Sequence, residues 1–332
     1  MTANPFAEAT AYELLARVTD QHASRDAIVF GDARITYADF RARVDALAGG
    51  LAALGLARGD ALAIWLPNRP LWFFAQYAAA RLGVVVVALN PRYRAHELAY
   101  ILGQSRATAL LVTDHLGPID YFETLQEVLP ELADAVPGEL ASATLPRLRY
   151  VVVDAEDPYP GCHRLADLLG ATASPAPAVG PDDLFTLLYT SGTTSFPKGA
   201  MISHRNAVPH GWNCGRVLGL TPADRVLHAL PAAGTWGGLC IPLSTWSHGA
   251  GLVLLESWDP LRALQLIERE RCTVFNAVDT MLKPLLEHPD LDRYDRSSLR
   301  TGGFGMVGGG GPRCSRRSSS GSACRSRISR TA

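Results

Sequence analysis

The chain has 332 residues, 48% hydrophobic and 19% charged, enough apolar content for a large core in two domains or one large one, and too much for wholesale disorder. Its formal net charge of −1 hides an asymmetry: residues 306–332 carry six arginines and no acid, leaving 25 basic against 32 acidic residues in 1–305. A mildly acidic body whose basic residues are scattered singly does not read as a nucleic-acid binder.

The opening "MTANPFAEATAYELLARV" has neither a basic start nor an apolar h-region, so no secretory signal is expected and the chain is placed in the cytoplasm. The six cysteines form no CxxC pair and no cluster at metal spacing, and read as thiols of a reducing compartment. In "RITYADFRARVDALAGGLAALGLARGD" Thr36 and Asp39 have capping-box spacing. Phe40, Val44, Leu47, Leu51 and Leu54 follow on one face, and Gly55 closes the helix. A strand, "ALAIWL", comes next. Residues 71–90 are apolar enough to raise a membrane span, but Gln76, Arg81 and Gly83 interrupt them. The reading is a helix to Leu82 and a buried strand over 84–89, with no transmembrane segment.

"RAHELAYILGQS" reads as a helix, and "ATALLV" and "LRYVVVD" as strands. A Pro/Ala linker spans 171–182, and "DLFTLLYT" is a strand that runs into "SGTTSFPKGA". Beyond it the strands "VLHAL", "GLVLLE" and "CTVFNA" are separated by helices at about 203–218, 237–247, 260–271 and 279–287. Short apolar runs alternating with helices mean β-α-β units and largely parallel sheets, an α/β fold. From Gly302 to Gly311 seven of ten residues are glycine, and the rest of the chain is dominated by Arg and Ser, without periodicity. Such a tail cannot bury enough surface to fold. A solvated basic tail is one reading; a shifted reading frame in GC-rich DNA is the preferred one.

The stretch "YTSGTTSFPKGA" crowds Thr190, Ser191, Thr193, Thr194 and Ser195 around Gly192, then adds Lys198 and Gly199. Lys198 is one of only two lysines, against 29 arginines. A Ser/Thr/Gly turn after a strand is often only a turn. This one leaves the carboxyl edge of a sheet, where α/β folds bind ligands, and it combines hydroxyl donors with an ammonium. That chemistry suits polyphosphate oxygens. The Walker-type spacing G-x-x-x-x-G-K-[ST] cannot be laid over it.

"LLYTSGTTSFPKGAMISHRN" resembles the phosphate-binding motif of the adenylate-forming superfamily, which includes AMP-forming acyl-CoA synthetases, adenylation domains of peptide synthetases and luciferases. The usual pattern is close to [YF]-[ST]-S-G-[ST]-T-G-x-P-K-G; ten of its eleven positions fit, and Ser195 stands where glycine is usual. A serine there strains the backbone if that glycine takes positive φ. "TYADF", "ARGDALAIWLPN", "ARLGVVVVALNPRYRAHELAYIL" and "LRTGGFG" resemble the same family in its order, over about residues 10–305.

The resemblance implies the incomplete N-terminal large domain of such enzymes, two packed β-α-β subdomains, with the C-terminal small domain absent. It implies ATP, Mg2+ and coenzyme A as cofactors and a carboxylic acid as substrate. Thr190, Ser191, Gly192, Thr193, Thr194 and Lys198 would hold the phosphates, with Gly199 permitting the backbone turn and Thr194 touching the metal through Mg-ATP. Gly302 and Gly303 would pass the adenine, and Gly234 and Trp236 would border the acid. Gly234 stands where the family often has histidine or an aromatic, and Asp279 where it often has proline. The aromatic-Gly-x-Thr-Glu and Thr-Gly-Asp motifs, which help hold magnesium and ribose, do not appear. The expectation is therefore an acid–CoA ligase family whose activity this polypeptide alone barely supports. It also includes self-association through a sheet edge left open after Thr301. The alternatives are a non-catalytic ATP-binding fragment, a pseudogene product, or a peptide-synthetase adenylation domain.

Overall fold

Several helices begin where the sequence supplies a cap. Thr10 with Glu13, Thr36 with Asp39 and Ser203 with Asn206 each close a reciprocal capping box, and the Asp259 carboxylate accepts from the Arg262 amide. Each satisfies amide donors that the first helical turn leaves without partners. The computed structural model describes residues 3–170, 177–190 and 197–305. The stretch 191–196, part of the Pro/Ala linker and the 306–332 tail lie outside the described residues.

In chain order the helices are α1 (Ala11–His22), α2 (Tyr37–Ala53), α3 (Pro70–Leu82), α4 (Ala95–Ser105), α5 (Tyr121–Val128), α6 (Leu165–Leu168), α7 (His204–Leu218), α8 (Ile241–Trp246), α9 (Pro260–Glu270) and α10 (Asp279–Leu286). The first strands are β1 (Asp26–Phe30), β2 (Ala33–Thr36), β3 (Ala61–Trp65), β4 (Val85–Ala88), β5 (Ala109–Thr113), β6 (His115–Leu116), β7 (Ile119–Asp120) and β8 (Tyr150–Asp154). They continue as β9 (His163–Arg164), β10 (Leu184–Thr190), β11 (Lys198–Ser203), β12 (Arg225–His228), β13 (Gly251–Leu254), β14 (Val274–Phe275), β15 (Ala277–Val278) and β16 (Phe304–Gly305).

Two sheets dominate. One runs β14-β12-β13-β1-β2, parallel except for β2; the other runs β11-β10-β4-β3-β5-β8-β9, parallel except for β11. Strands β3, β4 and β5 are buried along their whole length, as parallel strands covered on both faces must be. Helix α3 buries nearly every side chain from Trp72 to Leu82, because it is apolar all round. Its Phe73 and Tyr77 meet Phe40 of α2 around Trp246 of α8, with ring centroids 4.8–5.4 Å apart. The Trp246 indole donates to the Ala27 carbonyl of β1 at 3.0 Å, tying this aromatic knot to the five-stranded sheet. A second apolar cluster, built from α4, α5 and the facing residues of β3, β5 and β8, covers the other side of the seven-stranded sheet.

The 71–90 stretch is helix and then strand, and no described helix is long and apolar enough to cross a membrane. The expected strand "CTVFNA" is broken into β14 and β15 at Asn276. The expected helix over 237–247 begins as a wide π-helical turn, Thr235–Cys240, and becomes α-helical only at Ile241. At Thr301, where an open edge is expected, strand pairing continues. Thr301 bridges Val274, β16 lies parallel to β15, and the Phe275 amide donates to the Thr301 carbonyl at 3.2 Å. Cys162, Cys214, Cys240 and Cys272 are free thiols.

Candidate functional site

The candidate phosphate stretch connects two paired strands. β10 pairs antiparallel with β11, with Thr190 opposite Lys198 and Tyr189 opposite Gly199. Strand β10 is also parallel to β4, and β4 to β3. The hairpin therefore opens at the carboxyl edge of the seven-stranded sheet, the edge at which parallel sheets place ligands. Thr190 and Lys198 are both exposed. Ser191, Gly192, Thr193 and Thr194 lie outside the described residues, as does Ser195.

Gly199 corrects one expectation. It sits inside β11, and its constraint is steric: a Cβ there would stand 3.0 Å from Tyr189 Cζ and 3.2 Å from the Tyr189 hydroxyl. The tyrosine ring lies across the bare backbone of its cross-strand neighbour, a pairing that stiffens a strand which glycine alone weakens. The Tyr189 hydroxyl bonds Gln104 Oε1, and burial pushes its pKa up to about 12. The Tyr100 hydroxyl donates to the Pro197 carbonyl at 3.2 Å. Helix α4 thus holds both ends of the hairpin mouth; Tyr189 is the first position of the motif, and Tyr100 and Gln104 are site-shaping residues that motif reading passed over.

The second group of candidates forms at the ends of β12 and β14. Gly234 and Trp236 follow β12, and the structure brings Trp236 against the Gly302–Gly305 segment. A Cβ on Gly303 would meet Trp236 Cζ2 at 3.0 Å, and one on Gly305 would meet Cζ3 at 2.8 Å. Gly302 is tighter still, since its Cβ would fall 1.9 Å from the Phe275 carbonyl oxygen. The Gly303 amide donates to Asn276 Oδ1 at 2.7 Å, and the Ala277 amide to the Gly303 carbonyl at 3.1 Å. Gly237 and Gly238 press on the Pro231 and Ala232 carbonyls, where a Cβ would come within 2.1 and 2.0 Å. Gly234 differs. Only the Pro231 carbonyl oxygen, 3.4 Å away, stands near its Cβ direction, so a larger side chain there would project into open space.

A buried asparagine joins the two sheets at this edge. Asn68, which follows β3, donates to the Leu230 carbonyl at 2.9 Å and accepts from the Ala232 amide at 2.8 Å. It also reaches the Leu255 carbonyl at 3.4 Å. Beside it Arg69 pairs with Glu256, which follows β13, and donates to Thr113 Oγ1 at 3.3 Å at the end of β5. Asp154, at the end of β8, is held above the usual carboxylate range by burial. The carboxyl ends of β3, β5, β12 and β13 therefore converge, and Asn68 fixes the segment that leads to Gly234 and Trp236. A polar residue within an otherwise apolar run was the available signal for Asn276, whereas Asn68, beside Arg69, carried none; they are buried to 3% and 5% exposure. Among the described residues no group of three His, Cys, Asp or Glu side chains could hold a metal ion. The magnesium expectation thus finds no such set here, and Thr194 is outside the described residues.

Comparison with known proteins agrees with this architecture. A family profile described as AMP-binding enzyme matches residues 15–317. YngI of Bacillus subtilis (strain 168) is 36% identical over 299 residues, covering 87% of this chain and 54% of its own. The mitochondrial medium-chain acyl-CoA ligase ACSF2 of Danio rerio is 31% identical, covering 91% of this chain and 52% of its own. The inhibitor-bound N-terminal domain of FACL13 from Mycobacterium tuberculosis superposes with a TM-score of 0.75 at 26% identity, over 90% of this chain and 71% of that one. The chain spans about half the length of the curated relatives it matches. The profile, the relatives and the doubly sheeted fold agree that this chain belongs to the AMP-binding, adenylate-forming enzyme family.

Proposed function

We propose that this chain carries the nucleotide- and acid-binding part of an AMP-forming acid–CoA ligase. In that reaction a carboxylate attacks the α-phosphorus of ATP, pyrophosphate leaves, and the acyl group passes from AMP to the thiol of coenzyme A. The observation that carries the reading is the hairpin that sets Lys198 opposite Thr190 at the carboxyl edge of the sheet. The relatives' printed activities support it.

The chain's own share is positioning and charge. The Lys198 ammonium is a point charge suited to the β- and γ-phosphates and to departing pyrophosphate. The hydroxyls of residues 190–194 add donors. Gly302, against the Phe275 backbone, and Gly303, bare of a side chain beside Trp236, form the adenine side. Trp236 walls the acid, and Gly234 leaves it room. Magnesium, when it accompanies ATP, neutralises phosphate charge; the described residues offer it no set of ligands. Residues 10–305 form the AMP-binding unit in this reading.

ATP titration of the purified chain and its Lys198→Ala variant is the test. A charge-assisted hydrogen bond is worth about 1.5–3 kcal/mol, so the variant should bind ATP about tenfold to a hundredfold more weakly. Equal affinity in the two proteins overturns the reading. Carboxylate-dependent exchange of pyrophosphate into ATP then separates two roles. Exchange places adenylate formation in this chain. ATP binding without exchange favours a nucleotide-binding fragment, the second reading.

A further inference from the structure

At the amino end of the five-stranded sheet, opposite the end of β12 that leads to Trp236, three arginines converge on one buried carboxylate. Glu270, whose side chain is 3% exposed, closes α9. Arg34 donates to both of its oxygens at 3.1 and 3.0 Å, Arg225 at 3.1 Å and Arg269 at 3.0 Å. Asp26, the first residue of β1, takes a second bond from Arg34 at 3.2 Å and one from Arg225 at 2.9 Å. These residues line a depression of about 670 Å³ together with Arg271, Thr273 and Ser298.

Burying a carboxylate is costly unless it is paired, and Glu270 is paired three times over. The consequence falls on the guanidiniums. The lining holds four arginines against two carboxylates, and one shared acceptor draws three like charges together. Asp32 and Asp295 meet Arg269 and Arg271 at the rim, at 3.4 and 3.7 Å, with side chains 102% and 52% exposed. In water such exposed pairs hold weakly. Arg269 spends its other two nitrogens on Asp32 and the Gly31 carbonyl, so the unspent N–H donors are those of Arg34, Arg225 and Arg271, and the lining keeps an excess of positive charge on a chain whose body is acidic. Guanidinium forks match the oxygens of phosphates, and the depression has the size of a small-ligand site.

We propose that this depression binds a small polyphosphate anion, at a site separate from the nucleotide hairpin. Glu270 acts as the keystone that gathers Arg34, Arg225 and Arg269, and Arg271 closes the outer side.

Calorimetric titration with sodium tripolyphosphate at constant ionic strength tests it, with Lys198→Ala as the background so that the hairpin's charge is gone. Saturable binding at one site is expected. It should weaken at least tenfold in Arg34→Gln/Arg271→Gln. Should that pair of changes fail to fold, Arg271→Gln alone, at a side chain 69% exposed, should weaken it about threefold, roughly the effect of one screened surface charge. Sulfate at matched ionic strength should not reproduce the signal. The proposal is overturned by absent saturation, by affinity unchanged in the arginine variants, by an equal response to sulfate, or by tighter binding of hexaglutamate than of tripolyphosphate. None of these results bears on the hairpin, since Lys198 is already removed.

Discussion

Acid should unfold this protein early, and two histidines set the scale. His228, the last residue of β12, is fully buried; both ring nitrogens lack a hydrogen-bond partner among the described residues, and desolvation depresses its pKa to about 3. His204 opens α7, stacks on Phe185 at 4.7 Å and accepts from the Ala11 amide through Nδ1 at 3.2 Å. Burial lowers its pKa to about 4. Both are neutral when folded, while the unfolded chain protonates near the ordinary value of 6.5. Below that value the unfolded state binds more protons, so stability is whole above it and drains as pH falls towards 4 and 3. Each pH unit in that window removes about 1.36 kcal/mol per histidine, hence about 2 kcal/mol each and about 4 kcal/mol together at pH 5. That is a large part of the roughly 5–15 kcal/mol that holds a domain folded. With a urea slope of about 3 kcal/mol per molar, the midpoint should fall by more than about 1 M between pH 7.5 and 5. Carboxylates with lowered pKa, such as Asp224 at about 2, act only at lower pH. His228→Leu should remove about half of the shift and leave the midpoint at neutral pH nearly unchanged, because an apolar side chain replaces a ring with no partner. A urea midpoint that stays level from pH 7.5 to 5, or a His228→Leu protein with undiminished acid sensitivity, refutes this account.

Three further outcomes follow from the packing. Gly302→Ala forces a Cβ towards the Phe275 carbonyl at 1.9 Å, so β14 or the 301–305 segment must move; a loss of about 3 kcal/mol in chemical denaturation is expected. Asn68→Ala strands the buried Ala232 amide and Leu230 carbonyl and should cost about 2–4 kcal/mol, with the Ala232 amide gaining hydrogen exchange; unchanged exchange there contradicts its anchoring role. Because β11 is an edge strand of the seven-stranded sheet and carries Met201 at 65% exposure, the chain should self-associate as concentration rises, and a sedimentation coefficient independent of concentration argues against it.

The elements that sequence reading located share a physical trait: their patterns serve one local purpose. Helix α2 carries its capping box, its single apolar face and a closing glycine within about twenty residues, and it forms as read. The 71–90 stretch resolved correctly because a helix ending in Arg81, Leu82 and a left-handed Gly83 stops itself. Strand β11 gave no such sign. It is an edge strand whose residues alternate only weakly between exposed and half-buried, so no period of two is written into it. The wide turn at 235–240 was equally silent, since its geometry comes from Gly237 and Gly238 touching carbonyls of the preceding segment, a contact local periodicity does not encode. At the site, the motif located Thr190, Lys198 and Gly199. Tyr189 belongs to the motif, but its cross-strand contact with Gly199 does not show in it, and Tyr100 and Gln104 act from a separate helix at a distance in sequence that no short pattern spans.

The pairing of Thr190 with Lys198 makes the lysine part of the stem. Its ammonium is borne by the sheet itself, whatever path the intervening residues take. On the proposed function, lengthening or shortening that connector by a residue or two changes which hydroxyls are offered to a phosphate, at little chain-entropy cost, without displacing the cation. Variation in the connector is thereby uncoupled from placement of the charge, so relatives with different tips could keep one electrostatic anchor in register.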